Sequence, residues 1–199
     1  MELHRYNGPL TAEQLIGAHK KIVNNAKSLY QESQLLFQNA MFARSYYLLC
    51  IANEELGKSI MVISALVDLI AGGIDWNTFW KKFRNHKSKT GTIEFMENAF
   101  VSSDENLTPF QDLKKQIPLL EEIKMSSLYA DMFQDCFFNP NEVITPQIVK
   151  EFTKLTSHRI EFIDAIYPRD EVLHTITKED ILSYRTKLSE MGIHIYDKH

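Results

Sequence analysis

Three charged side chains interrupt an otherwise apolar segment at Glu54-Glu55-Leu56-Gly57-Lys58. On a helix, Glu54 and Lys58 lie one turn apart on a stripe of small and polar residues, where a ligand or another backbone can approach. Their i, i+4 spacing also suits an ion pair. Glu55 projects among apolar residues instead, so its carboxylate needs a cationic or hydrogen-bonding partner from elsewhere in the fold. The segment fits a functional site and a buried ion pair that fixes helix register about equally well.

A second concentration of charge lies between Asp75 and Glu94, a stretch without any acidic residue. It contains five cations and one histidine: Lys81, Lys82, Arg84, Lys87, Lys89 and His86. Because the whole chain has a net charge of -4, the remaining residues carry -9. Such a contrast localises positive potential and favours binding of anions, with phosphate groups as the obvious target. An ordinary solvated helix face is the alternative.

Aromatic residues are interleaved with these cations at Trp76, Phe79, Trp80 and Phe83. Their i, i+3, i+4, i+7 spacing is typical of one face of a helix. The pattern therefore favours packing against the core over stacking with nucleic-acid bases.

Several other kinds of site are not indicated by the sequence. No His-x-x-x-His or Glu-x-x-His pair falls on one predicted helix, so we expect no zinc or di-iron centre and no other cofactor. The glycines of Ala71-Gly72-Gly73-Ile74 are not followed by Gly-Lys-Ser/Thr, so they form no phosphate loop. No Ser-His-Asp or Cys-His arrangement follows from spacing, which argues against hydrolase chemistry of those kinds.

The chain that positions these residues has 199 residues, of which 7 are Gly and 6 are Pro. This total is about half the usual share, which favours an all-α fold of long helices. The composition, 44% hydrophobic and 24% charged, excludes a disordered or membrane-embedded chain. The longest apolar stretch, 60–71, is too short to span a bilayer, and the first residues do not form a signal peptide. Cys50 and Cys136 are predicted to be buried thiols, so a soluble protein of the reducing cytoplasm is expected.

Periodicity and capping signals divide the chain into seven predicted helices. They are 12–36, 40–71, a short helix after Asp75, a weak helix at 93–101, and three helices that begin at Thr108-Pro109, Thr145-Pro146 and Thr177. Thr90-Gly91 is predicted to be a loop, and Pro118 to bend or restart its helix. A soft boundary near 107 separates an N-terminal helical core, 1–107, from a C-terminal helical part, 108–199. We expect the two parts to pack on one core as a single compact domain.

Three ordered blocks of the sequence resemble AbiV-type abortive-infection proteins, which belong to the HEPN superfamily of helical domains. The blocks are Ala52-Asn53-Glu54-Glu55-Leu56-Gly57-Lys58, similar to A-x-E-E-L-G-K, Phe83-Arg84-Asn85-His86-Lys87-Ser88-Lys89, similar to F-x-x-H-K-x-K, and Lys124-Met125-Ser126-Ser127-Leu128-Tyr129-Ala130-Asp131, similar to K-x-x-S-L-Y-x-D. The resemblance implies a HEPN-like antiparallel helical bundle with additional C-terminal helices.

The same resemblance implies an antiphage effector that shuts down translation and responds to a phage-encoded protein. Many HEPN proteins are homodimeric, metal-independent ribonucleases, so a homodimer and an RNA partner, either tRNA or ribosomal RNA or the ribosome, are expected, and no membrane. A non-enzymatic helical adaptor that binds a phage protein and the translation machinery is the alternative. Whether the chain is an endoribonuclease is therefore left open.

The resemblance implies a HEPN signature, an Arg followed by a His after four to six residues, and two places in the sequence bear on it: one departs from this spacing and one has it. In the chemistry of this signature the imidazole moves the proton of a ribose 2′-OH and the guanidinium holds the phosphate. Arg84 and His86 lie inside a matching block but are separated by one residue. Arg169 and His174 have the signature spacing but lie outside the blocks.

The blocks also suggest one hydrogen-bonded network around the first of these places. Its expected members are Glu55, Lys58, His86, Lys89 and Asp131, with Glu54 and Tyr129 beside them. The candidate catalytic residues are His86, Lys89, Glu55, Arg169 and His174. The candidate RNA-binding or anion-binding residues are Lys81, Lys82, Arg84, Lys87 and Lys89.

Overall fold

The computed structural model describes residues 5–100, 110–133, 135–167 and 173–190. The helices are α1 (Ala12–Gln38), α2 (Phe42–Ala71), α3 (Trp76–Arg84), α4 (His86–Phe100), α5 (Phe110–Ser126), α6 (Pro140–Val143), α7 (Pro146–Ile166) and α8 (Lys178–Glu190). Two short strands, β1 (Asp131–Phe133) and β2 (Cys136–Phe138), lie between α5 and α6. The predicted all-α fold class is confirmed.

Local signals in the sequence set the ends of the first three helices. Thr11 caps α1 in a capping box with Gln14, as predicted. Gly72 ends α2 in the left-handed conformation at φ 81°, which glycine adopts without steric cost. Asp75 accepts hydrogen bonds from the backbone N–H groups of Asn77 and Thr78 and so begins α3.

Helix α2 is the centre of the bundle. It is joined to α1 by only three residues and packs along it, so the two helices form an antiparallel pair. It also packs against α4, α7, α5 and the other helices. Each of the three core clusters contains α2 side chains, among them Leu66 in the first, Leu56 in the second and Leu49 in the third. A buried polar side chain on α2 therefore has several other helices around it.

The face of α3 that carries the aromatic residues packs inward. Trp76, Phe79 and Phe83 lie against the core cluster formed mainly by α1 and α2. Packing against the core is thus confirmed for these three side chains, whereas Trp80 contacts the rings of Phe79 and Phe83 and the backbone of Gly8.

One prediction about helix boundaries is wrong. Helix α4 begins at His86 and continues through Thr90-Gly91, where a loop was expected. Asn85 starts it by accepting a hydrogen bond from the backbone N–H of Ser88 at 2.9 Å. Gly91 serves close packing instead of a turn, because a Cβ there would lie 2.9 Å from the Ile117 side chain. Of the two alternatives predicted for Pro118, a bend or a restart of its helix, the restart is excluded, because α5 continues through this residue.

The β1–β2 hairpin was not predicted. Its strands are antiparallel, with Met132 opposite Phe137. The hairpin places Cys136 on the surface, so the prediction of a buried thiol is wrong for this residue. Cys50 is partly buried, and burial raises the pKa of its thiol.

None of the described helices combines the length and the apolar character needed to cross a membrane.

Candidate functional site

Glu54 is buried in α2 and binds side chains from two other helices. Its Oε1 accepts a hydrogen bond from Lys124 Nζ of α5 at 2.7 Å. Its Oε2 lies 2.6 Å from Lys89 Nζ and 2.7 Å from His86 Nδ1, both of α4. Lys124 also pairs with Glu121 one turn earlier in α5. The three sequence blocks therefore meet at one carboxylate, and we call these five residues the Glu54 cluster.

The charges of the Glu54 cluster stabilise one another. Burial raises the pKa of Glu54, but the hydrogen bonds from Lys124 and Lys89 outweigh it, so this pKa lies below its ordinary value. Burial likewise lowers the pKa of Lys124, and the bonds to Glu121 and Glu54 raise it by more. Glu54 and Lys124 are thus ionised together at neutral pH.

We expect the stability of the protein to fall in acid because of this shift. Above the ordinary value of 4.5 the Glu54 contribution is fully present. As the pH falls below that value, the unfolded state takes up a proton before the folded state does. The stability that Glu54 contributes therefore decreases steadily and is lost as the pH falls through the folded-state pKa. Urea unfolding between about pH 6 and pH 3 measures this loss.

The control for the pH experiment is Glu54→Gln, which has no titrating group at this position. The free-energy difference between the two proteins should shrink through the acidic window. A difference that stays constant down to about pH 3 would contradict the assignment of a lowered pKa.

The geometry fixes which nitrogen of His86 carries the proton. Nδ1 lies 2.7 Å from Glu54 Oε2 and 3.3 Å from Lys89 Nζ. A carboxylate only accepts and an ammonium only donates, so a proton on Nδ1 satisfies the shorter contact to Glu54. We assign Nδ1–H on this ground. Nε2 is then the nitrogen left for a ligand, on a side chain that is 61% exposed.

Three side chains in the Glu54 cluster have the donor atoms of a metal site. Ligand atoms of Glu54, His86 and Glu121 all lie within 4.8 Å of one another, an arrangement that sequence spacing did not indicate. However, each oxygen of Glu54 already accepts a bond from a lysine ammonium group. A divalent cation would have to displace Lys89 and Lys124, so the donor set fits two ammonium groups better than a metal.

A second buried group, which the sequence analysis missed, lies beside the Glu54 cluster. Arg159 of α7 is 3% exposed and donates to Asn53 Oδ1 and Glu94 Oε1, each at 2.8 Å. It also pairs with Glu97. Thr156, one turn earlier on the same face of α7, accepts from Asn53 Nδ2 at 2.8 Å. A charged residue on the apolar stripe of α7 was the available signal.

A small cavity separates the two groups. It has a volume of about 30 Å³, and its polar lining includes Asn53, Glu54, Glu94, Glu121, Lys124 and Arg159. This volume admits a water molecule but is far below the ~300 Å³ of ordinary ligand pockets. A large ligand therefore does not fit into this cavity, whereas the side chain of His86 is open to solvent.

The partners expected for Glu54 and Glu55 are wrong. Glu55 is 8% exposed and pairs with Lys58 in its own helix, where a partner from elsewhere in the fold was expected. Lys58 is therefore engaged by Glu55, while Glu54 binds Lys89 and Lys124 in place of the expected i, i+4 ion pair. The ammonium group of Lys58 also lies over the ring of Phe83, 5.8 Å from its centroid.

Two further members of the expected network lie on the surface. Tyr129 is 57% exposed, and Asp131 is exposed at the start of β1, where it accepts a bond from the backbone N–H of Met132. Within the described ranges, no contact joins either residue to the Glu54 cluster. The structure thus brings together His86 and Lys89 but not Asp131.

The cations of α3 and α4 divide into two groups. Lys81, Lys82 and Lys87 are exposed, whereas Lys89 is 5% exposed and held by Glu54. Arg84 contacts Tyr6 and Asn7. Arg169 lies outside the described residues, and His174 is exposed. The Arg169/His174 site therefore stays a prediction.

A bundle centred on α2, with three sequence blocks meeting at a buried carboxylate, defines a helical domain of the HEPN class. A family model described as AbiV matches residues 14–161. The chain therefore belongs to the AbiV family of HEPN proteins. This membership indicates a role in abortive infection, a defence of the infected cell. Neither the curated proteins nor the solved structures that were searched contain a match.

Proposed function

We propose that the protein is an abortive-infection effector that stops translation by acting on RNA, with His86 as the reacting side chain. The observation that supports this most is the exposed imidazole whose Nδ1 is held by a buried, ionised carboxylate. Such a pair fixes the ring orientation and stabilises the imidazolium that forms when Nε2 takes up a proton.

The proposed reaction is cleavage of the RNA backbone without a metal. Nε2 of His86 takes the proton of a ribose 2′-OH, and the 2′-oxygen attacks the adjacent phosphorus. The bond from phosphorus to the 5′-oxygen breaks, and that oxygen takes a proton from solvent. The products are a 2′,3′-cyclic phosphate and a 5′-hydroxyl. The exposed Lys81, Lys82 and Lys87 supply positive charge for the phosphates.

The proposal includes three partners that rest on family membership. They are a second copy of the chain in a symmetric dimer, a phage-encoded protein that triggers the activity, and tRNA or ribosomal RNA as the substrate.

We expect His86→Ala to abolish the shutdown of translation while the fold persists. The side chain is 61% exposed, so its removal should change the free energy of unfolding by less than about 1 kcal/mol. An in vitro translation assay with and without phage lysate, followed by end-mapping of total RNA, measures the effect.

Two controls make this test specific. Lys87→Ala removes an exposed cation next to His86 in the sequence and should weaken the activity only modestly. His174→Ala probes the other predicted site. If His174→Ala abolishes shutdown and His86→Ala does not, the reacting histidine is the one outside the Glu54 cluster.

A non-enzymatic adaptor is the second proposed function, and a surface feature favours it. Large apolar side chains are exposed along α5 and the hairpin, namely Leu119, Met125, Tyr129, Met132 and Phe137, the last at 79%. Exposed apolar side chains that form one patch mark protein interaction surfaces, and these five come from one segment of the chain, 119–137. Inhibition of translation with RNA left intact would support the adaptor and exclude the nuclease.

A further inference from the structure

Residues 5–9, which we call the strap, cross the outer side of α3. The carbonyl oxygen of Tyr6 and the amide Oδ1 of Asn7 accept hydrogen bonds from the two terminal nitrogens of the Arg84 guanidinium. The carbonyl oxygen of Gly8 accepts from Trp80 Nε1 at 2.9 Å. The strap thus engages one cation and one aromatic side chain of α3.

The two strap oxygens contact Arg84 in the way that two oxygens of a phosphate group would. Two oxygens face the two arms of the guanidinium, which is the bidentate arrangement that phosphates and carboxylates adopt. Both oxygens of the strap are neutral, and across the residues that the structure describes no carboxylate pairs with Arg84. A phosphate would give the same two bonds and would also compensate the positive charge, which the two neutral oxygens of the strap do not.

Trp80 provides the second half of a nucleotide site. Its ring lies under the Arg84 guanidinium, 5.1 Å from ring centroid to Arg84 Cζ. The ring of Tyr6, 55% exposed, contacts it edge to face at 6.0 Å between centroids. Bases of single-stranded nucleic acids stack on such indole rings whatever their sequence. The strap therefore occupies positions that a phosphate and a base would take.

The strap is a local turn that lies mostly on the surface. The Tyr6 hydroxyl donates to the carbonyl oxygen of Pro9 at 2.7 Å, which closes the segment on itself. Tyr6, Asn7 and Pro9 are exposed, and the core contacts of the N-terminal segment begin only at Leu10. Lifting residues 5–9 off α3 therefore exposes no buried core.

We infer that Arg84 and Trp80 form a binding subsite for one nucleotide of single-stranded RNA, and that the strap occupies this subsite in the free protein. The inference rests on the proposed function for the identity of the ligand. It also places the subsite at the end of α3, where Arg84 lies two residues before His86, the first residue of α4.

Substitutions at Asn7 test the inference in opposite directions. Asn7→Asp gives Arg84 a charged partner and holds the strap in place, so affinity for RNA should fall about tenfold. Tyr6→Ala combined with Asn7→Ala removes the aromatic contact and one acceptor, so affinity should rise severalfold. Fluorescence anisotropy of a labelled uridine decamer, measured on the full chain at fixed salt, compares these proteins with the wild type.

Two control variants separate the subsite from general electrostatics. Asn77→Asp makes the same charge change on the exposed surface of α3 and should leave affinity nearly unchanged. In a chain that also carries Arg84→Gln, the Asn7→Asp and Tyr6→Ala/Asn7→Ala proteins should bind alike. The inference is overturned if the Asn7 variants do not differ, if their difference survives Arg84→Gln, or if none of the proteins binds the decamer.

The binding assays are carried out with His86→Ala present, so that cleavage of the decamer cannot alter the result. Unchanged RNA affinity in the strap variants, together with loss of translational shutdown in His86→Ala, would contradict the subsite and leave the proposed function standing. If RNA binding depends on the strap but His86→Ala has no effect on translational shutdown, the subsite is supported and the proposed role of His86 is contradicted.

Discussion

Replacing Glu54 by glutamine is expected to lower the free energy of unfolding by about 3–5 kcal/mol. The substitution keeps the size of the side chain, so no cavity forms. It removes the negative charge that holds Lys89 and Lys124, whose side chains are each 6% exposed and cannot reach water without disturbing the packing. For a chain of this length the midpoint of thermal unfolding should fall by about 6–20 °C, as circular dichroism or calorimetry would show.

Glu121→Gln is the matched control for this prediction. Its side chain is more exposed, at 18%, and it contacts Lys124 but not Lys89. Lys124 keeps Glu54 as a partner in this variant, so the expected loss is only about 1 kcal/mol. If the two variants melt together, Glu54 is not the centre of the cluster.

The helices of this fold were predictable because their signals are local. The Thr11 capping box, the glycine stop after Ala71 and the Asp75 cap each act within a few residues. The prediction failed at Thr90-Gly91, because the glycine there makes room for Ile117 on another helix and does not form a turn. It also failed at the hairpin, since two strands of three residues are too short to give a periodic pattern.

The motif blocks contain four of the five residues of the Glu54 cluster, but Lys124 was not a candidate site residue, Glu121 lies outside the blocks, and the pairing was not predicted. The motif blocks drew attention to Glu54, His86 and Lys89, yet the expected network was placed on Glu55. Adjacent residues on a helix point about 100° apart, so the face that meets α4 and α5 decides between them, and helix packing sets that face. Arg159 was missed for the same reason, because its partners Asn53 and Glu94 come from two other helices.

Gly57→Ala should have the second large effect, because Gly57 lies directly against the backbone of α4 at Lys89. A Cβ at this position would lie 2.2 Å from the carbonyl oxygen of Lys89 and 2.9 Å from its carbonyl carbon. The obstacle is backbone, so α4 itself must move, and Lys89 and His86 then move away from Glu54. We expect the free energy of unfolding to fall by about 3 kcal/mol, at the upper end for overpacked sites, and translational shutdown to fall with it.

Gly17→Ala shows what the same change does where nothing opposes it. Gly17 is exposed within α1, and a Cβ there would have no neighbouring atom within 4 Å. Alanine lowers the entropy of the unfolded chain and favours the helix, so this variant should gain about 0.5–1 kcal/mol. Urea unfolding of the two alanine variants should therefore give shifts of opposite sign. A Gly57→Ala protein as stable as the wild type would mean that α2 and α4 are not in backbone contact, and that Lys89 reaches Glu54 from a greater distance.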